Sequence, residues 1–139
     1  MKTIHSTIDT GIASQIGLYS DAVAVNNNVQ WLFSSATPGL PSEGDLNRNI
    51  TEQAELAWEQ LLIILDEAGM GIQHLVKITQ YLAFKEDIPD YVKVRHKVLG
   101  ECKPASTLLV IEQLDWPDML LSIEFIAAKP IETLRSSGI

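Results

Sequence analysis

The chain has 139 residues, 46% of them hydrophobic and 20% charged, values that place it among globular proteins of one domain and exclude a disordered polymer. A formal net charge of -8 sets nucleic acid aside as the principal ligand, because phosphate binding rests on clustered Lys and Arg and the ten here are scattered. Cys102 is the only cysteine, so no intrachain disulfide can form.

The opening MKTIHSTIDT lacks the apolar core of a secretory signal, and the longest apolar run, Leu61 to Leu65, is too short to cross a bilayer. Together with the single cysteine, this makes the cytoplasm the expected compartment and leaves no membrane partner.

In chain order, Lys2 to Ile4 is expected as a short edge strand. The runs Asp21 to Val25 and Val29 to Ser34 flank Asn26-Asn27-Asn28 and read as a hairpin, because Asn tolerates the left-handed backbone of a tight turn. Thr37 to Asn47 holds two prolines and two glycines and reads as a loop.

A helix follows, with Asn49 as its cap and Glu52 completing a capping box. Its apolar face is Ile50, Ala54, Ala57, Trp58, Leu61, Leu62, Leu65 and Ala68, and Gly69 ends it. Leu75 to Phe84 reads as a strand. Asp87 and Pro89 start a second helix that runs to Gly100, presenting Ile88, Tyr91, Val92, Arg95, Val98 and Leu99 on one face.

Ser106 to Glu112 and Met119 to Ala128 are the last strands, separated by the turn Asp115-Trp116-Pro117-Asp118. The order is β-β-β-α-β-α-β-β: an α+β domain over residues 1–130, helices on one face of a mixed sheet, and a C-terminal tail at 131–139. Leu108, Leu109, Val110 and Ile111 are apolar on both strand faces, so the sheet needs a second cover, which another subunit would supply.

The sequence resembles the Rid (reactive intermediate deaminase, YjgF-like) family over about residues 14 to 129. Ile16-Gly17-Leu18-Tyr19-Ser20-Asp21-Ala22 is similar to the family's I-G-P-Y-S-Q-A, with Leu18 for Pro and Asp21 for Gln. Leu32-Phe33-Ser34-Ser35 resembles its strand ending S-G-Q, and Ile64 to Gly69 its I-L-x-x-A-G helix end. Val76-Lys77-Ile78-Thr79 matches V-K-x-T, Pro104-Ala105 stands where P-A-R occurs, and Ile123 to Ala127 resembles I-E-x-I-A.

That resemblance implies a chorismate-mutase-like fold, a homotrimer with ligand clefts between subunits, and hydrolysis of small imines or enamines without metal or organic cofactor. It makes Glu124 the water-positioning residue. Along its strand Leu121, Ile123 and Phe125 alternate with Ser122, Glu124 and Ile126, so Glu124 leaves the more apolar face. An ordinary exposed strand glutamate is the competing reading.

Ser106 stands where relatives of the deaminase type carry arginine, and Leu108 where they often carry cysteine. A hydroxyl cannot replace a bidentate cation, and losing such a contact costs on the order of 2–5 kcal/mol. Standard 2-aminoacrylate chemistry is therefore not expected. Arg95 either supplies the missing cation from the second helix or lays its stem on apolar surface with its charge in water. Lys103 is a lesser substitute.

Tyr19 and Ser34 match pocket positions of the family, against the alternatives of a core tyrosine and a strand serine. Ser35, in place of glycine, narrows the cleft. His5, His74 and His96 have no metal-ligand spacing, and His74 and His96 read as surface residues. Two functions are weighed: a cofactor-free hydrolase of a small imine, enamine or related C–N compound, and a non-catalytic trimer that binds a small metabolite.

Overall fold

A computed structural model describes residues 5–41, 43, 46 and 48–131. The strand expected at Lys2 to Ile4 and all but the first residue of the tail lie outside them. The elements are β1 His5–Ile8, α1 Ala13–Ile16, β2 Ala22–Val25, β3 Val29–Phe33, β4 Thr37–Pro38, α2 Ile50–Glu67, β5 Leu75–Leu82, α3 Ile88–Leu99, β6 Ala105–Val110 and β7 Leu121–Pro130. The expected order of major elements stands, with α1 and β4 added. No helix among the described residues is long and apolar enough to cross a membrane.

β3, β7, β5 and β6 lie side by side in a mixed sheet, with β4 on β7 and β5–β6 the parallel pair. The expected hairpin across Asn26 to Asn28 does not form. Asn28 does adopt the left-handed backbone (φ 63°), yet β2 pairs with β1 in a separate two-stranded sheet while β3 pairs with β7. The turn residue was local information; the partner of each strand was not. Within the span read as loop, Thr37 and Pro38 form β4 against Ile123 and Ser122.

The core lies between the sheet and the two long helices. Trp58, Leu61 and Leu65 of α2 and Tyr91 and Leu99 of α3 meet Ile78 and Leu82 of β5 and Leu121, Ile123 and Phe125 of β7. The helix α2 starts as its sequence dictates: Asn49 Oδ1 accepts from Glu52 N (2.8 Å) and Glu52 Oε1 accepts from Asn49 N (3.3 Å), a box contributing about 1 kcal/mol. Leu62, assigned to the apolar face, is instead exposed, and Val94 of α3 is buried. Asp87 precedes α3 without a side-chain cap bond, because its backbone is already helical there.

Strand alternation then sorts the remaining side chains. Ile78, Gln80 and Leu82 face the helices, and Lys77, Thr79 and Tyr81 face the other way. The outer face carries exposed Trp31, Phe33 and Leu109.

Candidate functional site

Arg95 reaches inward from α3 and is only 6% exposed. Its guanidinium borders a cavity. Its Nη1 donates to Gln80 Oε1 at 3.0 Å, and its guanidinium carbon lies 5.8 Å from the centre of the Tyr91 ring. Among the described residues it makes no ion pair.

Gln80 organises this region from β5. Its Oε1 also accepts from the Tyr91 hydroxyl, and its Nε2 donates to Ser106 Oγ (2.8 Å) and to the Thr107 carbonyl (3.0 Å). All four hydrogen-bonding capacities of the amide are thus filled. Burial pushes the Tyr91 phenol far above its ordinary range, so it stays a donor.

Arg95 and Ser106 line a cavity of about 360 Å³ together with Ile16, Gly17, Tyr19, Ile88, Val92, His96 and Leu108. Its roof is fixed from the N-terminal side. Asp21 accepts from Thr10 N (2.7 Å) and Ala13 N (2.9 Å), which holds its carboxyl below the usual carboxylate range and fastens α1. Ser20 is buried, donates to the Lys103 carbonyl at 2.7 Å and bridges to Ala105, so Tyr19 is set beside the start of β6. A methyl group on Gly17 would stand 3.3 Å from the Tyr19 ring and 3.9 Å from Arg95 Nη2.

Glu124 stands on the opposite face of the sheet. It pairs with Thr79 in register, and its Oε1 accepts from the Tyr81 hydroxyl at 2.6 Å. That bond, then burial, then the carboxylate charge raise the Tyr81 phenol above its ordinary value. Glu124 lies between two small cavities. One, of about 190 Å³, includes Phe33, Ser34, Lys77 and Thr79; the other, of about 280 Å³, includes Pro38, Tyr81, Asp115 and Ser122. Ser34 is clamped to β7: Phe125 N donates to Ser34 Oγ (2.8 Å) and Ser34 N to the Phe125 carbonyl (3.0 Å).

Gln53 of α2 supports this side from behind. Its Nε2 donates to the carbonyls of Leu46, Arg48 and Asp118, three acceptors sharing two hydrogens, and Leu120 N donates to its Oε1. Gly39 packs so closely on the Gln53 backbone that an added Cβ would fall 1.9 Å from its carbonyl oxygen.

The sequence-derived residues therefore divide into two sets. Tyr19, Arg95, Ser106 and Leu108 line one cavity; Ser34 and Glu124 share another; Ser35 is exposed beside the second. Lys103 is exposed and lends only its carbonyl. His96, read as a surface residue, instead lines the Arg95 cavity with its Nε2 buried and unpartnered. Sequence reasoning also passed over Gln80 and Tyr81. The signal for Gln80 was a polar residue in the middle of an apolar strand.

A larger cavity of about 460 Å³, bordered by Gly69, His74 and Lys129, opens beside the end of α2. Its lysine is committed to the Ala68 carbonyl (2.9 Å), and none of the sequence-derived residues reaches it.

Residues 12–129 match the family model described as endoribonuclease L-PSP. A RutC family protein of Pyrococcus abyssi is 33% identical over 115 residues, covering 82% of this chain and 88% of the relative. A RutC family protein of Pasteurella multocida is 30% identical over 135 residues, 92% of this chain and 98% of the relative. Among solved structures, the Rid protein YyfB of Yersinia pestis superposes with a TM-score of 0.79 at 18% identity, covering 91% of this chain and all (100%) of that one. TdcF of E. coli, solved with bound serine, superposes at 0.67 and 22% identity, covering 92% of this chain and 99% of that one. At such identities the two structures speak for the fold alone.

Proposed function

Because the chain belongs to the endoribonuclease L-PSP family, that of the RutC and Rid proteins, we propose that it is a cofactor-free hydrolytic deaminase of a small imine, enamine or related C–N metabolite. The observation that carries this reading is the Glu124 carboxylate, held through one oxygen by Tyr81 and bordering two cavities on the open sheet face.

An enamine substrate first tautomerises to its imine. As the water oxygen bonds to the imine carbon and the C=N π pair moves to nitrogen, Glu124 takes a proton from the water and passes it to that nitrogen, giving a neutral carbinolamine. The regenerated carboxylate then takes the carbinolamine hydroxyl proton and hands it to the nitrogen, so that the C–N bond breaks as the C=O bond forms and ammonia leaves. Atoms balance as imine plus water to carbonyl plus ammonia, and one carboxyl serves as base and then acid. Tyr81 fixes one oxygen and leaves the other free for the proton.

The reading needs a second chain. Glu124 and Arg95 face away from each other across the sheet, so one chain cannot bring both to one substrate. The exposed Trp31, Phe33 and Leu109 on the Glu124 face supply the apolar surface that a homotrimer would cover. The cytoplasm is the proposed compartment. Cleavage of RNA is the weaker reading, since the charge of -8 opposes binding of a polyanion.

The alternative, a non-catalytic trimer that binds a small metabolite, draws on Ser106, a neutral residue already engaged by Gln80 where deaminase relatives carry a cation. Ammonia release from freshly generated imines separates the two. Turnover that disappears in Glu124→Gln supports the hydrolase, and release no faster than the uncatalysed rate with every imine supports the binding protein.

A further inference from the structure

Three basic side chains gather where α2 ends, apart from both Glu124 and Arg95. His74 closes the short 3-10 turn Ile72–His74, Lys129 comes from β7, and both border the cavity of about 460 Å³. His5 of β1 stands near enough that its charge would oppose a charge on His74. The other walls are Gln30, Gly69, Pro130 and Ile131, so among the described residues no carboxylate borders the cavity, and Lys129 makes no ion pair. A basic corner without an acidic partner runs against a chain of net charge -8.

Capping of α2 accounts for only part of it. Lys129 Nζ donates to the Ala68 carbonyl at 2.9 Å, which leaves two of its three hydrogens without an acceptor among the described residues. The Leu65 and Asp66 carbonyls are already taken by the N–H groups of Ala68, Met70 and Gly69, so few bare acceptors remain at the helix end to repel an anion. His74 Nδ1 accepts from Gly71 N at 3.0 Å, which puts the ring hydrogen on Nε2 as a donor. His5 Nε2 is buried with no partner.

We infer that this corner binds a phosphoryl dianion, carried by a small phosphate monoester. Lys129 supplies the fixed charge, His74 and the Gln30 amide donate to the remaining oxygens, and Pro130 and Ile131 take the organic part. Phosphate presents three strong acceptor oxygens, one for each of these three donor side chains. A bare phosphate would not fill about 460 Å³, a volume within the range of small-metabolite pockets. Such a site stands whether or not the chain hydrolyses imines.

Occupancy is coupled to a proton. Burial, then His5, then Lys129 hold His74 below the ordinary histidine value, so it is uncharged near neutral pH. Asp66 and Glu67, in the last turn of α2, are exposed to solvent and leave that direction unchanged. A bound dianion offsets the neighbouring positive charge. His74 then titrates at a higher pH, and the dianion binds more tightly as pH falls toward that raised value.

Titration calorimetry of the full chain in its native assembly, in phosphate-free buffer, tests this with glycerol 3-phosphate, inorganic phosphate, acetate and glycerol. Glycerol 3-phosphate is expected to bind, phosphate about 3-fold or more weakly, acetate about 10-fold or more weakly, and glycerol not at all. Lys129→Met should weaken the monoester by about 10-fold or more. That change also uncaps α2, so exposed Gln30 carries the charge test without touching the cap. Gln30→Glu should weaken the monoester by about 10-fold, and Gln30→Lys should strengthen it about 3- to 10-fold. The magnetic-resonance titration of the His74 ring should move up on saturation with glycerol 3-phosphate.

Glycerol 3-phosphate that binds no better than glycerol or acetate, unchanged affinity in both Gln30 variants, or a His74 titration unmoved by saturation would overturn the site. Inorganic phosphate as tight as the monoester would overturn the organic part alone and leave free phosphate as the occupant.

Discussion

Gln80 and Tyr81 are neighbours in β5, yet they serve opposite sides of the molecule. Gln80 points to the helices, is completely buried, and fixes Tyr91, Arg95 and Ser106 through a saturated amide. Tyr81 points to the open face and, among the described residues, its hydroxyl makes one hydrogen bond, to Glu124. The first region is buried and closely hydrogen-bonded, suited to holding a charge that does not change. The second leaves one carboxylate oxygen without a hydrogen bond among the described residues, which suits the proposed uptake and release of a proton. The Arg95 network and the carboxylate proposed for proton transfer thus lie on opposite faces of one strand.

The largest effect that can break this division is at Glu124. Glu124→Gln should lower kcat for imine hydrolysis by about 10²- to 10⁴-fold while KM stays within about 2-fold. A parallel rise in KM would show that the two regions are not separate. Next comes Gln80→Leu, which leaves the Tyr91 hydroxyl, the Thr107 carbonyl and Arg95 without their partner. Because only one side of the network is removed, urea unfolding should show a loss of about 3 kcal/mol.

A smaller effect belongs to Tyr81. Tyr81→Phe should reduce kcat about 3- to 10-fold with KM nearly unchanged, since Glu124 keeps its place and loses only its orientation. A larger change in KM than in kcat would assign Tyr81 to substrate binding. The smallest effect is spectroscopic. The Tyr81 phenol is raised mainly by its bond to Glu124, so in wild type it ionises above its ordinary value, and in Glu124→Gln its ultraviolet titration should move back down. An unmoved titration would mean the pair does not persist in solution.

What could be read from the sequence follows the range of the interaction. The α2 capping box was legible because Asn49 and Glu52 are three residues apart, and the run of buried positions through Trp58 and Leu65 because periodicity is local. The partner of β2 was not legible, since Asn28 announces a turn and says nothing of which strand lies across it. Four residues of α1 are too few to show a period, and two residues of β4 exist only because β7 is there.

The same holds for the candidate site. Arg95 drew notice as a charge on an apolar helix face, and its burial agrees with that signal. His96 was read as a surface residue, whereas Ile88, Val92, Arg95 and His96 border one cavity. Gln80 carried a readable sign, and its meaning depended on Tyr91, Arg95 and Ser106 arriving from two other elements.

The back-to-back placement of Arg95 and Glu124 has a genetic consequence. If each cleft draws its cation from one chain and its carboxylate from the next, two individually dead proteins can rescue one another. Unfolding and refolding an equal mixture of Arg95→Gln and Glu124→Gln chains would scatter the defects at random. About a quarter of the clefts would then join an intact arginine to an intact glutamate, and the others would carry one defect or both. Two such alleles in one cell would complement, each silent alone and partly active together.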